Sequence, residues 1–176
     1  MFKYLIQDLA GTLRYVPYGI VIGMGLLLLV QGINNRRRAQ GKTPCRLLAP
    51  VCLFTYLALM VIITFLSREG GSSAGMDLQI GSGWNINARN DAYLVENVLL
   101  FMPYGFCYAW YRNRKGILFS ALFTGLFTSF LIEIMQLVTG RGIFQLDDII
   151  TNTIGCVLGA LMFQIPAWVI HKIMRN

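Results

Sequence analysis

Charge is what this chain has least of. Of its 176 residues 13% are charged and 56% are hydrophobic, whereas a soluble domain carries about 25% charged residues. A chain this apolar has too little polar surface to cover a water-soluble globule, which excludes a soluble enzyme or binding module. Histidine is nearly absent, with the single His171 near the end. The four cysteines form no CxxC pair: Cys52, Cys107 and Cys156 fall within apolar runs, and Cys45 sits beside a basic loop. Thiols so placed act as small apolar residues, so neither a disulfide framework nor a Cys/His zinc site is expected. No small-residue cleavage site follows the first apolar run, so that run is expected to stay as an anchor rather than leave as a signal peptide.

What fills the chain instead is a series of apolar runs near the roughly 20 residues that cross hydrocarbon. They cover 15–30, 47–66, 92–111, 117–138 and 149–170. The third holds Glu96 and Pro103, and only 97–110 is free of charge, so full, tilted and re-entrant courses stay open for it. The expected fold class is all-α: a polytopic membrane helical bundle with about five transmembrane helices. Residues 15–170 form one membrane domain. Residues 1–14 are expected to be an outer N-terminal segment lying in the interface as an amphipathic helix, and 171–176 a cytoplasmic tail.

Acids are missing from one set of connections altogether. The loop NNRRRAQGKTPCR holds Arg36, Arg37, Arg38, Lys42 and Arg46, and YRNRK holds Arg112, Arg114 and Lys115. Cytoplasmic loops collect Lys and Arg. Five spans then place the N-terminus outside and the C-terminus inside, with ten of the fifteen basic residues inside and all eight acids at or near the outer face. The net charge of +7 thus divides into +10 inside and −3 outside. The basic runs read as topology determinants beside anionic lipid, and nucleic acid is not an expected partner. The outer segment 67–91 is rich in Gly, Ser and Asn and reads as a mobile loop, with Trp84 placed to dock at the headgroups.

Against this background the stretch SFLIEIMQLVTGRGIFQLDDIITNTIGCVLG, 129–159, is unusually polar. Ser129, Glu133 and Gln136 recur at i, i+4 and i+7 and share one helix face. Asp148, Asn152, Gly155 and Gly159 share a face of the next helix, and Glu96 and Asn97 enter from the third. Three helices therefore bring polar groups to one level in the outer half of the bilayer, beside Arg141. An ionised acid in hydrocarbon costs several kcal/mol unless paired, protonated or wetted, so Glu133 needs a partner, with Arg141 and the amides nearest. Any one of these residues would serve equally well as helix glue. As a set at one depth they read as a functional pocket. Gly155 and Gly159 form a GxxxG pattern that admits another helix closely.

At these residues the sequence resembles the VanZ-like family, whose namesake is a teicoplanin-resistance protein. Two motifs carry the resemblance, ENVLLFMPYGF and IEIMQLVTGRGIFQLDDIITNTIGCVLG, covering roughly residues 92–162. Carried over by position, the family's recurrent residues are Asn97, Pro103, Glu133, Gln136, Arg141, Asp147, Asp148, Asn152 and Gly155. The chain departs upstream, where NINARND offers Asn85 or Asn87 but no following Pro-Phe. The resemblance implies a multi-pass protein of the bacterial cytoplasmic membrane that lowers susceptibility to teicoplanin and related lipoglycopeptides. It implies no established reaction.

Three functions fit these residues. In the first, an outer-leaflet pocket binds the drug's lipid tail or a lipid-linked cell-wall precursor through Asn97, Glu133, Gln136, Arg141, Asp147, Asp148 and Asn152. In the second, the chain is a membrane hydrolase or transferase acting on a lipid-linked envelope component. Glu133 is then the catalytic acid/base, and Asp147 and Asp148 hold a divalent cation such as Mg²⁺ through oxygen ligands. No other cofactor is expected, and an Asp pair suits a helix N-terminus equally well. The third is a small oligomeric transporter.

Overall fold

The computed structural model describes residues 1–66, 71, 75–84 and 86–173, except the side chains of 66 and 167–173. The expected cytoplasmic tail, 171–176, and Asn85 lie wholly or largely outside what is described. Six α-helices make up nearly all of the rest. Helix α1, Phe2–Thr12, passes through a 3₁₀ turn, Leu13–Tyr15, into α2, Val16–Ala39. Pro17 falls in the first turn of α2, where a missing N–H costs no helix bond. Helix α2 runs on past the apolar stretch through Arg36, Arg37 and Arg38 in its last turn, where cations complement the helix dipole.

Helix α3, Leu48–Val61, ends in a π-helical turn, Ile62–Leu66. Helix α4, Ala88–Arg112, is capped by Asn87, whose side chain accepts from the amides of Arg89 and Asn90. Asp91 sits in its first turn, and it stops at Asn113 in a left-handed conformation. Helix α5, Ile117–Thr139, ends at Gly140 with φ 61°, the backbone conformation that glycine adopts without a Cβ clash. Helix α6, Leu146–Ile173, opens with Asp147 and Asp148 in its first turn.

The helices α2 to α5 pack as antiparallel neighbours. Gly19 and Gly23 of α2 meet Leu59 and Thr55 of α3. Tyr56 of α3 donates to the Leu100 carbonyl of α4 at 2.7 Å. Tyr104 and Thr128 share a hydrogen bond of 3.0 Å between α4 and α5, and Tyr108 bonds Ser120 one turn further on. Helices α4 and α6 are different: they run parallel, from the acidic to the basic end, and make the closest pair in the bundle. A Cβ added at Gly155 would lie 2.3 Å from the Val98 oxygen, at Gly159 1.8 Å from the Met102 oxygen, and at Gly105 1.9 Å from the Cys156 oxygen. The GxxxG pattern of α6 thus has its partner in α4, which contributes a glycine of its own. Phe101, Met60, Cys156 and Ala121 fill the core around this crossing.

Among the described residues four helical runs are long and apolar enough to cross a membrane: Phe2–Ala39, Leu48–Phe65, Ile117–Thr139 and Leu146–Pro166. Their lipid-facing sides stay exposed, as at Leu28, Phe119, Phe127 and Val138. Helix α4 is not among the four: Glu96, Asn97, Pro103 and its tyrosines dilute its apolar character. At 25 residues it is nonetheless about 37 Å long, and it follows α6 through the bundle. The chain is therefore an all-α, multi-pass membrane protein.

Of the outer segment 67–91, read from composition as a mobile loop, residues 75–84 are described and carry pairing of their own. Strand β1, Met76–Asp77, pairs in parallel with β2, Phe144–Gln145, in the α5–α6 connection. The Phe144 amide also donates to the Gly75 carbonyl at 3.0 Å. Residues 75–84 form a strap across the acidic end of the bundle. Within it Gly81 turns the chain at φ 83°, a left-handed conformation that glycine adopts without a Cβ clash.

Candidate functional site

Five of the polar residues singled out by the sequence are packed inside the bundle. Glu133, Gln136, Asp147 and Asn152 are all at most 4% exposed, and Ser129 is fully buried. Each is held by an identifiable contact. The Glu133 carboxylate accepts the backbone N–H of Gln145 at 3.0 Å, joining α5 to β2. Gln136 donates to the Thr64 carbonyl at 2.8 Å. Arg141 donates to the next carbonyl, Phe65, at 2.9 Å, with its guanidinium 4.7 Å from the centre of the Phe65 ring. These two donors serve consecutive carbonyls in the π-helical end of α3, where the last carbonyls of a helix run short of intrahelical donors. Asn152 donates to the Ser129 hydroxyl at 2.9 Å, while its own side-chain oxygen has no partner among the described residues.

Asp147 ties down the strap. One carboxylate oxygen accepts from the Gly81 amide at 2.8 Å and the other from the Gly83 amide at 3.1 Å. Asp77 organises the same turn by accepting from the Ser82 hydroxyl at 2.5 Å and the Gln79 amide at 3.1 Å. The Ser82 hydroxyl, then the Gln79 and Gln145 amides, hold the Asp77 carboxyl below its ordinary 3.8, since hydrogen bonds to the charged form favour it.

In front of this packed layer lies a cavity of about 870 Å³, bounded by α1, α3, α4 and the start of α6. Helix α1 contributes Gln7 and Asp8, α3 contributes Tyr56, Leu59 and Ile63, and α4 contributes Glu96, Asn97 and Leu100. The α5–α6 connection adds Gln145 and α6 adds Asp148. Of the seven residues picked from sequence, Asn97 and Asp148 line this cavity. Glu133, Gln136, Arg141, Asp147 and Asn152 are not among its lining and stand behind it. Gln145 joins the two layers, since its backbone amide meets Glu133 and the residue lines the cavity.

Sequence reasoning missed Asp8, Gln145 and Tyr56 as wall residues. Asp8 carried a signal, because it is the only acid in the first 68 residues. It lines the cavity together with Glu96, across the α1–α4 contact. Arg89 lies on the same contact, bonded to the Tyr93 hydroxyl at 2.7 Å and placed over the Tyr4 ring. Among the described residues no group of three or more His, Cys, Asp or Glu side chains is arranged to hold a metal ion.

A helical bundle crossed by apolar spans, with a polar layer and a half-apolar cavity at its acidic end, defines a multi-pass membrane protein with a ligand-sized space at one membrane face. The chain belongs to the VanZ/LLP1 family, whose model matches residues 53–168. That range takes in α3 to α6 and the strap but leaves α1 and α2 outside. Neither a comparison with curated proteins nor one with solved structures finds a match.

Proposed function

We propose that this protein holds an amphiphile at the outer leaflet of the bacterial cytoplasmic membrane. In this reading it lowers susceptibility to teicoplanin and related lipoglycopeptides by binding the drug's lipid tail, or the lipid-linked cell-wall precursor, in the cavity of α1, α3 and α4. The orientation follows from the acid-free basic loops, which belong in the cytoplasm, with α4 as a fifth crossing beside α6. The cavity itself carries the reading. At about 870 Å³ it falls within the roughly 300–1,000 Å³ of small-ligand sites, and it joins Leu59, Ile63 and Leu100 to Asn97, Gln145 and Asp148. Such a surface suits a molecule with one apolar and one polar end.

In this account Asn97 and Asp148 meet the ligand. Glu133, Gln136, Arg141, Asp147 and Asn152 keep the wall in shape. A divalent cation at Asp147 and Asp148 has less behind it, since both Asp147 oxygens already accept amide protons.

The test is to narrow the cavity with Leu59→Trp and Leu100→Phe and measure drug protection in cells. At normal membrane levels, both variants should lose protection. Full protection by both would refute the cavity as the site.

A second reading, an enzyme acting on a lipid-linked envelope component, has one observation behind it. Asp8 and Glu96 both line the cavity wall, and two carboxyls facing one space are a pattern that suits acid/base chemistry. Mass analysis of wall precursors separates the two readings: an enzyme leaves a changed mass, a binder leaves none.

A further inference from the structure

The basic end of the bundle carries a second, smaller groove that the function above does not use. It has a volume of about 530 Å³ and lies between the start of α3 and the end of α4. Arg46, Leu47, Leu48, Ala49, Trp110 and Asn113 line it. We infer that this groove binds an anionic phospholipid of the leaflet on the basic side, with the headgroup phosphate at Arg46 and the upper acyl chain along Leu47, Leu48 and Trp110.

The groove is held in place by the chain around it. The buried Asn34 both donates to the Cys45 carbonyl at 3.1 Å and accepts from the Cys45 amide at 2.7 Å. Arg37 donates to the Thr43 carbonyl at 2.8 Å. These bonds fix the backbone immediately before Arg46 and so hold that residue at the rim of the groove. Arg46 itself is exposed and has no hydrogen-bond or ion-pair partner among the described residues. Helix α3 begins at Leu48 with no side chain capping its first amides, and helix N-terminal amides favour an anion.

Charge selects the occupant. No acid occurs between residues 9 and 68 or between 97 and 132, while Arg36, Arg38, Lys42, Arg112, Arg114 and Lys115 crowd this end. A phosphate therefore meets only positive potential here, whereas a zwitterionic choline headgroup brings an ammonium into the same field. Basic grooves between membrane helices bind anionic headgroups, and Trp110 has the amphipathic ring that settles at the headgroup level. The apolar floor favours a diacyl lipid over a soluble phosphate ester.

The experiment uses the full chain in nanodiscs of equal phosphatidylglycerol and phosphatidylcholine, released into the gas phase for native mass spectrometry. Wild type should retain phosphatidylglycerol in preference to phosphatidylcholine. Arg46→Gln should lower that retention about tenfold, the size of one lost charge-assisted contact. Arg46→Lys should keep most of it, and Arg114→Gln, outside the groove, should change it little. Leu48→Glu, at an exposed position, places a negative charge in the groove and should give the same loss if Arg46→Gln fails to reach the membrane. Equal retention of the two lipids by wild type overturns the inference. So does unchanged retention in Arg46→Gln or Leu48→Glu, or a loss in Arg114→Gln as large as in Arg46→Gln. Displacement of the lipid by soluble glycerol phosphate would replace a lipid site with a phosphate site and overturn it as well.

Discussion

Glu133 and Gln145 meet where the packed interior becomes the cavity wall: the buried carboxylate accepts the Gln145 backbone amide at 3.0 Å, and Gln145 lines the open space. The acid is thereby a structural acceptor for a loop that the ligand would touch. Replacing it tests that role. Glu133→Leu strands the Gln145 N–H and should destabilise the protein by about 1–3 kcal/mol. Glu133→Gln keeps an acceptor oxygen and should cost less. Thermal unfolding in detergent reads both, and a Leu variant as stable as wild type contradicts the assignment.

The α4–α6 crossing makes a sharper demand. Ala at Gly155 would drive its Cβ to 2.3 Å from the Val98 oxygen, and Ala at Gly159 to 1.8 Å from the Met102 oxygen. Overpacking of this kind costs about 1–3 kcal/mol or more. Both variants should accumulate poorly in the membrane. Gly32→Ala, whose Cβ meets nothing within 4 Å, should accumulate normally.

Arg141 and Gln136 hold consecutive carbonyls at the end of α3. Each substitution, Arg141→Ala or Gln136→Leu, should lower the unfolding temperature, with a coupling in the double variant because both secure one segment. Asp148→Asn and Asn97→Ala should act the other way round, with little change in unfolding temperature and a larger loss of ligand affinity. Arg141→Ala abolishing binding at unchanged stability would move that arginine into the site.

The strap should respond to acid. Hydrogen bonds from Ser82 and Gln79 depress the Asp77 carboxyl below its ordinary 3.8. A group depressed in the folded state contributes its stability above the unfolded value and loses it as pH falls through the folded one. Hydrogen exchange at residues 75–84 should therefore be slow at neutral pH and rise as the pH falls below about 4. In Ser82→Ala the rise should begin at higher pH. An exchange rate independent of pH after correction for intrinsic chemistry would remove Asp77 from the strap.

The sequence made the local parts of this arrangement readable and hid the non-local ones. Spacing alone placed Ser129, Glu133 and Gln136 on one face of α5, and all three are buried. Gly155 and Gly159 announced a close approach, but that Gly105 of α4 answers them depends on two helices meeting 50 residues apart in sequence. The Gln145 contact to Glu133 runs through a backbone amide, which no side-chain pattern encodes. The Gly and Ser content of 67–91 showed a loop but not the contacts of residues 75–84, which come from Asp77 and Asp147, one of them 64 residues away from the amide it binds. Glu96 and Asn97 were visible as polar groups entering from α4. The other wall was not, because Asp8 sits on α1, outside the segment that resembles the family.

The central claim is that an acyl tail enters between α1, α3 and α4. Photo-crosslinking measures it directly: a lipoglycopeptide carrying a photoreactive group on its acyl tail is irradiated with the protein in nanodiscs, and the labelled peptides are sequenced. Label concentrated at 56–63 and 96–100, and competed by unmodified drug, is the predicted result. Label spread over the lipid-facing surface of α5 at 119–131, or insensitive to competition, contradicts the account.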